Sequence, residues 1–535
     1  MTVHSITSVA LDTSHAAPLL ITGPAIARDH PAYLVDESRM QGGPVTHLYF
    51  PVTPAETAAV VNQARAAGAG LTVSGARTGI TGAAVPQGPY LMSVEKMNRV
   101  LGVRPGPDDS WLVTVEPGIT LDAVAALVAE KRFDPALPGA AAFNREPRPF
   151  WYPVDPTERS ASIGGTCATN ASGARTFHYG PTRDYIAGLK VVLDNGELLT
   201  LERGACRFDP AGRVTLAASD GSRRTIPLPA YRIPAVKHAA GYYAADGMDL
   251  IDLFIGSEGT LGVIVEVTLR VIPAEPAIFS AVAFFPAGED AIEFTLRART
   301  SAAVQPLALE FFDGGTLELL RAKHREEGAG SRLREIPAAF RAAIYFEQSY
   351  AGDEQLMARM EAWEALLAGC HTSMDNTWSG MEPAEQRLLK EFRHAVPEGV
   401  NTLIARRKQA DARIHKVGTD MSVPDAALRD MYALYRTRCA AAGLEYVIFG
   451  HIGDNHLHVN ILPRNFAEVE QAQALYLEFA RRAVAYGGSV AAEHGIGKLK
   501  RKFLPVMFGE EGMTQMRAVK AALDPAGIFC PGNLF

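Results

Sequence analysis

Leu71-Thr72-Val73-Ser74-Gly75-Ala76-Arg77-Thr78-Gly79-Ile80-Thr81-Gly82 reads as a strand that runs directly into a glycine-rich loop. His47 to Val52 before it has a short strand pattern. Pro54 to Ala67 has Ala and Val spaced for one helical face and ends at Gly68. The chain therefore starts β-α-β. Ser74 to Gly82 holds three glycines and three hydroxyl residues, so its backbone can turn tightly and offer N–H groups to an anion. The spacing is neither G-x-G-x-x-G opening a helix nor G-x-x-x-x-G-K-[ST], which disfavours a dinucleotide-binding Rossmann unit and a P-loop. Taken alone, the loop reads equally as a structural turn and as a diphosphate cradle.

Other segments share its character. Val113 to Gly118 is a strand ending in a Pro-Gly turn, followed by a helix from Leu121 to about Glu130. Ala161-Ser162-Ile163-Gly164-Gly165-Thr166-Cys167-Ala168-Thr169-Asn170-Ala171-Ser172-Gly173 is almost wholly small residues, which let backbone approach a large flat ligand. Tyr179 to Asp184 and Phe254 to Gly262 repeat the pattern. Four such loops between β-rich segments point to one shared cofactor site, although each alone reads as a turn.

A second signal lies far downstream. The chain has 14 histidines, and three of them, His451, His456 and His458, fall in Gly450-His451-Ile452-Gly453-Asp454-Asn455-His456-Leu457-His458-Val459-Asn460. His456 and His458 are two apart, so a strand would point them to one face, and Gly453-Asp454 can fold His451 back toward them. With Glu493-His494 adding a carboxylate and an imidazole, the set suits a borderline metal. A solvated polar strand fits the spacing as well.

Length and composition set bounds. At 535 residues the chain exceeds one core and predicts two or three domains. A hydrophobic fraction of 47% with 21% charged residues is ordinary for a globular protein, and a net charge of −7 gives no reason to expect nucleic acid. No stretch approaches the roughly 20 apolar residues of a spanning helix. The N-terminus lacks a basic-then-apolar signal pattern. Cys167, Cys206, Cys370, Cys439 and Cys530 are widely spaced, which argues against a zinc ribbon or a protein-held iron–sulfur cluster and fits a reducing cytoplasm. The expected location is cytoplasmic, with peripheral membrane association left open.

Loop 74–82, the 161–173 run and Gly256 to Gly262 together resemble the FAD-binding domain of the vanillyl-alcohol-oxidase-like flavoproteins. With Gly450 to Asn460, Glu493-His494 and the ending Asp524-Pro525-Ala526-Gly527-Ile528-Phe529-Cys530-Pro531-Gly532-Asn533, the chain resembles their D-2-hydroxyacid dehydrogenase branch over roughly residues 45–535. That branch includes D-lactate dehydrogenases, D-2-hydroxyglutarate dehydrogenases and the flavoprotein subunit of glycolate oxidase.

The resemblance implies an α+β fold: a two-subdomain PCMH-type FAD-binding domain over residues 1–273 (split near 110), an α+β cap over 274–487, and a C-terminal segment, 488–535, that returns to the FAD domain. The sequence of the cap suggests strands Ala281 to Phe285, Ala343 to Phe346 and Tyr446 to Phe449, and helices Glu354 to Leu367, Ala426 to Ala442 and a short one from Ala338 to Ala342. Residues 1–44 read as an irregular, partly helical lead-in, 324–333 as an exposed loop, and Arg406-Arg407-Lys408 as a solvated charge run.

The implied activity is FAD-dependent oxidation of a D-2-hydroxy acid to the 2-oxo acid, with D-lactate the first choice and D-2-hydroxyglutarate the second. A glycolate-oxidase-like subunit of a larger complex is the alternative. His451, His458 and Glu493 fall on the family's metal ligands and His494 on its general base. Zinc is the first choice of metal, then manganese or iron. His456 stands where an asparagine is usual and is read as supporting the ligands, with direct ligation left open. A carboxylate substrate wants a cationic clamp, and Arg393 and Lys416 occupy the corresponding places.

Non-covalent FAD is expected on Gly75, Ala76, Arg77, Thr78, Gly79 and Thr81, with Pro138 nearby. Arg77 stands where many relatives have glycine. Ser162, Gly165, Thr169, Ser172 and Gly173 are expected to line the flavin, Gly259, Gly262 and Val263 to contact the cofactor, and Ile264 to pack on the adenine side, with Asn533 reaching toward the active site. The implied partners are a quinone, a cytochrome or an electron-transfer flavoprotein as acceptor, and a second copy as a homodimer.

Overall fold

The computed structural model describes residues 4–535. Its first sheet has four strands in the order Leu19–Thr22, His47–Phe50, Tyr90–Ser93, Leu71–Ser74. The outer pair is antiparallel and the other two pairings are parallel. Thr53 caps helix Pro54–Ala66 by accepting from the Glu56 N–H at 3.1 Å, and Pro54 sits at the first helical position, where its missing N–H costs nothing. The helix buries Ala58, Val60, Val61 and Ala64 against Tyr49, Leu71 and Met92, and also against Val192, Val263 and Val265 of the next sheet and Ile528 and Phe529 of the chain end.

The second sheet is antiparallel, in the order Leu198–Glu202, Ile186–Val192, Val263–Pro273, Trp111–Val115, Val100–Pro105. Its longest strand alternates strictly, with Val263, Val265, Val267, Leu269 and Val271 all buried, as a sheet with one packed face requires. The lead-in is less irregular than expected: Ser5–Thr7 joins Arg213–Ala217 and Arg223–Pro227 in a small sheet.

Beyond Pro273 a seven-stranded antiparallel sheet begins, in the order Thr377–Gly380, Ala277–Phe285, Ala342–Tyr350, Pro306–Asp313, Tyr446–Gly450, His458–Ile461, Val417–Gly418. Helices cover both faces, so Pro306–Asp313 is buried at every position. On one face Phe284, Phe312 and Tyr345 meet Leu389 and Phe392 of helix Pro383–Lys408. On the other, Phe294 and Trp363 pack on Phe346, the latter stacked with ring centroids 4.2 Å apart.

Three local expectations fail here. Residues 338–341 form a turn rather than a helix, because the Arg321 guanidinium collects the carbonyls of Ile336, Pro337 and Phe340. Helix Gly314–Glu327 extends into the segment expected to be a loop. Arg407 of the charge run pairs with Glu445 at 2.5 Å.

The C-terminal residues return to the first two sheets. Leu71 N–H donates to Ile528 O at 2.7 Å and Cys530 N–H to Leu71 O at 2.9 Å. Buried Glu258 accepts the N–H groups of Ile496 and Gly497 at 2.7 and 2.6 Å. Trp363→Ala should destabilise the protein by about 3–5 kcal/mol, the usual loss for a buried aromatic, read as a lower urea midpoint by circular dichroism.

Candidate functional site

The histidine stretch is a turn between two strands. Strand Tyr446–Gly450 ends at Gly450, where φ is +143° and an added Cβ would meet His456 O at 2.8 Å, so only glycine fits. A 3-10 turn over Ile452–Asp454 follows, Asn455 takes the left-handed conformation at φ 52°, and the next strand starts at His458. His456 is therefore in the turn, not on a strand beside His458, and its N–H closes back to His451 O at 3.2 Å. Gly453 lets the turn lie against the Phe177 ring, 2.7 Å from where its Cβ would be.

The turn, the C-terminal segment and two unexpected carboxylates converge. Glu493 places Oε2 3.1 Å from His451 Nε2 and 3.8 Å from His456 Nδ1, and Oε1 3.4 Å from His458 Nε2 and 3.3 Å from His494 Nε2. His451 Nδ1 meets Glu310 Oε1 at 2.5 Å, and Arg393 Nε donates to Glu310 Oε2 at 3.2 Å. His458 Nδ1 must donate to Thr419 O at 2.8 Å, since a carbonyl only accepts, which leaves Nε2 with a free lone pair when neutral. Asp420, buried from water, accepts from the backbone N–H groups of Glu493 and His494 at 3.3 and 3.2 Å and from Lys500 at 2.7 Å. Its Oδ1 is also 3.3 Å from His494 Nδ1.

His494 has a side chain 26% exposed, against 7% for His451, 0% for His456, 12% for His458 and 11% for Glu493. Of these groups it is the one positioned to meet an incoming molecule. Burial pushes its basicity down, but the Asp420 carboxylate outweighs that and leaves it above the ordinary histidine value. Burial acts the same way on His451, yet Glu310 and Glu493 carry it up to about 9. Burial would raise the Glu310 carboxyl, and His451 with Arg393 instead hold it down at about 2.

These residues fit a divalent cation. Glu310, Asp420, Asp454 and Glu493 set four carboxylates against three basic side chains, Lys237, Arg393 and Lys500. Without a metal, a proton on His451 offsets the extra carboxylate, and a cation held by neutral imidazoles would take that proton's place. Donor atoms of His451, His456, His458 and Glu493 lie within 4.8 Å of one another, and imidazole with carboxylate is a borderline-metal donor set.

Two side chains in this cluster carried no sequence signal. Glu310 is on a strand that reads as plain core, and Lys237 lies in an irregular segment, yet its ammonium donates to Glu493 Oε2 at 2.8 Å. Lys416 is exposed and donates to Asn401 Oδ1 at 3.1 Å, whereas the basic group beside Glu493 is Lys237. A cavity of about 1360 Å³ opens beside Lys237 and Asp454, with Asn170, Ser172 and Phe177 on one wall and Arg299 and Asn455 on another.

The glycine-rich loops face one another. Ala76 N–H donates to Ser162 Oγ at 3.3 Å. Gly79 has open space where a Cβ would be, while at Gly75 a Cβ would lie 2.1 Å from Ser162 Oγ. Arg77 adopts φ 61°, a conformation suited to glycine, and its guanidinium folds back over the Tyr33 ring at 4.2 Å and toward Glu95. Thr78 is half-buried beside it, and Thr81 is buried with its carbonyl accepting from Lys498 and Leu499 N–H.

The small-residue run is not a loop but helix Ile163–Thr169, capped by Ser162, whose Oγ accepts from Gly165 N–H at 3.3 Å. Thr169 Oγ1 donates to Gly165 O at 3.0 Å, and Ser172 Oγ is buried without a partner at the cavity wall. Gly173 packs on Asp155, its Cβ position 2.0 Å from that carbonyl. Gly259 abuts Cys530, Gly262 abuts Val191, and Val263 and Ile264 pair with Val192 and Val191. Pro138 is exposed, its carbonyl accepting from Val103 N–H at 2.9 Å. Asn533 is buried and fully engaged, taking Lys498 at 2.6 Å and donating to Ala83 O and Glu258 O. It braces the segments around the site instead of reaching into it.

Residues 275–534 match the C-terminal domain of FAD-linked oxidases, and residues 45–143 and 145–202 match an FAD binding domain. A D-2-hydroxyglutarate dehydrogenase of Xanthomonas citri pv. viticola is 30% identical over 91% of this chain and 89% of its own. A D-lactate dehydrogenase of Anaerostipes hadrus is 29% identical over 90% and 87%. The solved structure of an alkyldihydroxyacetonephosphate synthase superposes with a TM-score of 0.60 at 16% identity, covering 98% of this chain and 88% of that one, which shows a shared fold.

Gly75→Ala should force the two loops apart. An overpacking cost of about 1–3 kcal/mol predicts FAD bound roughly 5- to 150-fold more weakly, measured by flavin fluorescence on titrating the apoprotein.

Proposed function

Because the chain belongs to the FAD-linked D-2-hydroxyacid dehydrogenase family, we propose that it oxidises D-lactate to the 2-oxo acid and passes the electrons to an external acceptor, a quinone, a cytochrome or an electron-transfer flavoprotein. The observation that carries this is the convergence of His494, the most exposed imidazole among those around Glu493, with Arg393 behind Glu310 at the same cluster. A bound FAD would supply the acceptor for the α-hydrogen as hydride. A divalent metal held here, zinc by preference, would lower the pKa of the substrate hydroxyl.

The chain supplies the rest. His451, His458 and Glu493 hold the metal. Glu310 fixes His451 through Nδ1, so that Nε2 faces inward. Asp420 lies against Nδ1 of His494, and Nε2, 3.3 Å from Glu493 Oε1, would take the hydroxyl proton once that carboxylate is engaged by the metal. Arg393 attracts the substrate carboxylate. Gly75, Ala76, Thr78, Gly79 and Thr81 with Ser162, Gly165, Thr169 and Ser172 line the cofactor, within a division of the chain at 1–273, 274–487 and 488–535.

A short monocarboxylate is favoured because Lys237 and Lys500 are already paired with Glu493 and Asp420, which leaves Arg393, shared with Glu310, as the cation for one carboxylate. A second substrate carboxylate would find no uncommitted partner among them. D-2-Hydroxyglutarate is the second reading, supported by exposed Arg232 on the cavity rim. A subunit role beside further electron-transfer proteins is the alternative to a free-standing enzyme.

Anaerobic mixing of the FAD-loaded protein with D-lactate should bleach the flavin band, faster than D-2-hydroxyglutarate or glycolate, with L-lactate inert. Silence toward the whole panel would sink the dehydrogenase reading. His494→Gln should lower kcat by about 10²–10⁴ with flavin content unchanged. Exhaustive chelation should stop turnover and zinc restore it; turnover that survives would remove the metal from the mechanism.

A further inference from the structure

We propose that His456 is a fourth protein ligand of the metal, through Nδ1, with Asp420 orienting the ring from the Nε2 side. This rests on the metal reading above and deepens it: the site is a three-histidine, one-carboxylate set, not two histidines and a carboxylate, and a substrate oxygen would add to it by the expansion beyond four ligands that catalytic zinc allows.

His456 is completely buried; Nε2 has the Asp420 carboxylate beside it, out of hydrogen-bond alignment, and Nδ1 has no hydrogen-bond partner among the described residues. An unsatisfied buried polar group costs about 1–3 kcal/mol, so a fold that seals Nδ1 in this way needs a reason. Geometry supplies it. Nδ1 is 3.8 Å from Glu493 Oε2, the oxygen that also lies 3.1 Å from His451 Nε2. On the other side of the ring, Nε2 is 3.1 Å from Asp420 Oδ1.

The same pattern recurs at each imidazole. His451 turns Nε2 to Glu493 and rests Nδ1 on Glu310; His458 turns Nε2 to Glu493 and rests Nδ1 on Thr419 O. Each ring sends one nitrogen to the shared centre and backs the other with an oxygen, the arrangement of carboxylate–histidine–metal arms. Ligands at about 2.0–2.2 Å from zinc stand at most about 4.4 Å apart, so a set already within 4.8 Å closes with small movements.

Position also explains the residue. His456 is at the end of the turn, where Asn455 in the left-handed conformation swings it inward and Ser422 forms a bridge with its backbone. The resemblance places an asparagine here, and an amide is a poorer donor to a borderline metal than imidazole. Asp420 lies between His456 and His494, so the carboxylate that backs the fourth ligand also backs the base.

The test uses the FAD-loaded, full-length protein stripped of metal. Zinc affinity is measured by competition with a chelating dye for the unmutated protein, His456→Asn and His451→Asn. His456→Asn should bind zinc at least tenfold more weakly, approaching His451→Asn, and its cobalt complex should change in visible absorption. Affinity and cobalt spectrum equal to the unmutated protein would overturn the fourth ligand and leave the three-ligand site standing. An unmutated protein that binds neither zinc nor cobalt would overturn both readings. Zinc X-ray absorption on the unmutated protein needs no variant: three imidazoles are expected, and two would overturn the proposal.

Discussion

Glu493 holds a carboxylate out of water, where an unpaired charge costs several kcal/mol, and the surrounding architecture answers that demand from three directions. The cap sheet brings His451 and His458. The segment before Gly241 brings Lys237, 256 residues earlier in the chain. Asp420 fixes the backbone of Glu493 and His494 through their N–H groups. Since none of these partners is local, the site exists only when the FAD-side sheets, the cap and the C-terminal segment are assembled together.

The chain end is therefore structural as well as functional. Glu258, in the turn before the strand that anchors the second sheet, takes two backbone N–H groups from the segment following His494, and Asn533 ties Lys498 to Ala83 and Glu258. The residues after Asp524 then add a parallel bridge to Leu71, at the root of the glycine-rich loop. One continuous stretch of polypeptide thus couples the loop that faces Ser162 to the position of Glu493 and His494.

Burial divides the labour within the cluster. The ligand-type groups are sealed in and held by carboxylates, whereas His494 keeps a quarter of its side chain open. Groups that hold a cation gain from low dielectric, while a group that exchanges protons with a substrate has to be reachable. The chain meets both needs with neighbours in sequence, because consecutive residues at 493 and 494 point to different surroundings.

The glycine and hydroxyl composition of 74–82, the small residues of 161–173 and the spacing of His451, His458 and Glu493-His494 are chemical identities, readable without coordinates, and they determined the family, the α+β class and most of the candidate site. The structure decided what depends on partners distant in sequence. Glu310 and Lys237 look like a strand residue and a loop lysine until folding sets them beside His451 and Glu493. In the 415–424 stretch the eye goes to Lys416 for its charge, but the chain turns that side chain toward Asn401 and buries Asp420 instead. His456, placed by period-two reasoning on a strand, reaches the cluster through a left-handed turn. Sequence specifies which donors and charges are present, whereas their pairing depends on long-range distances and on the dielectric that burial creates, and those exist only in the assembled tertiary structure.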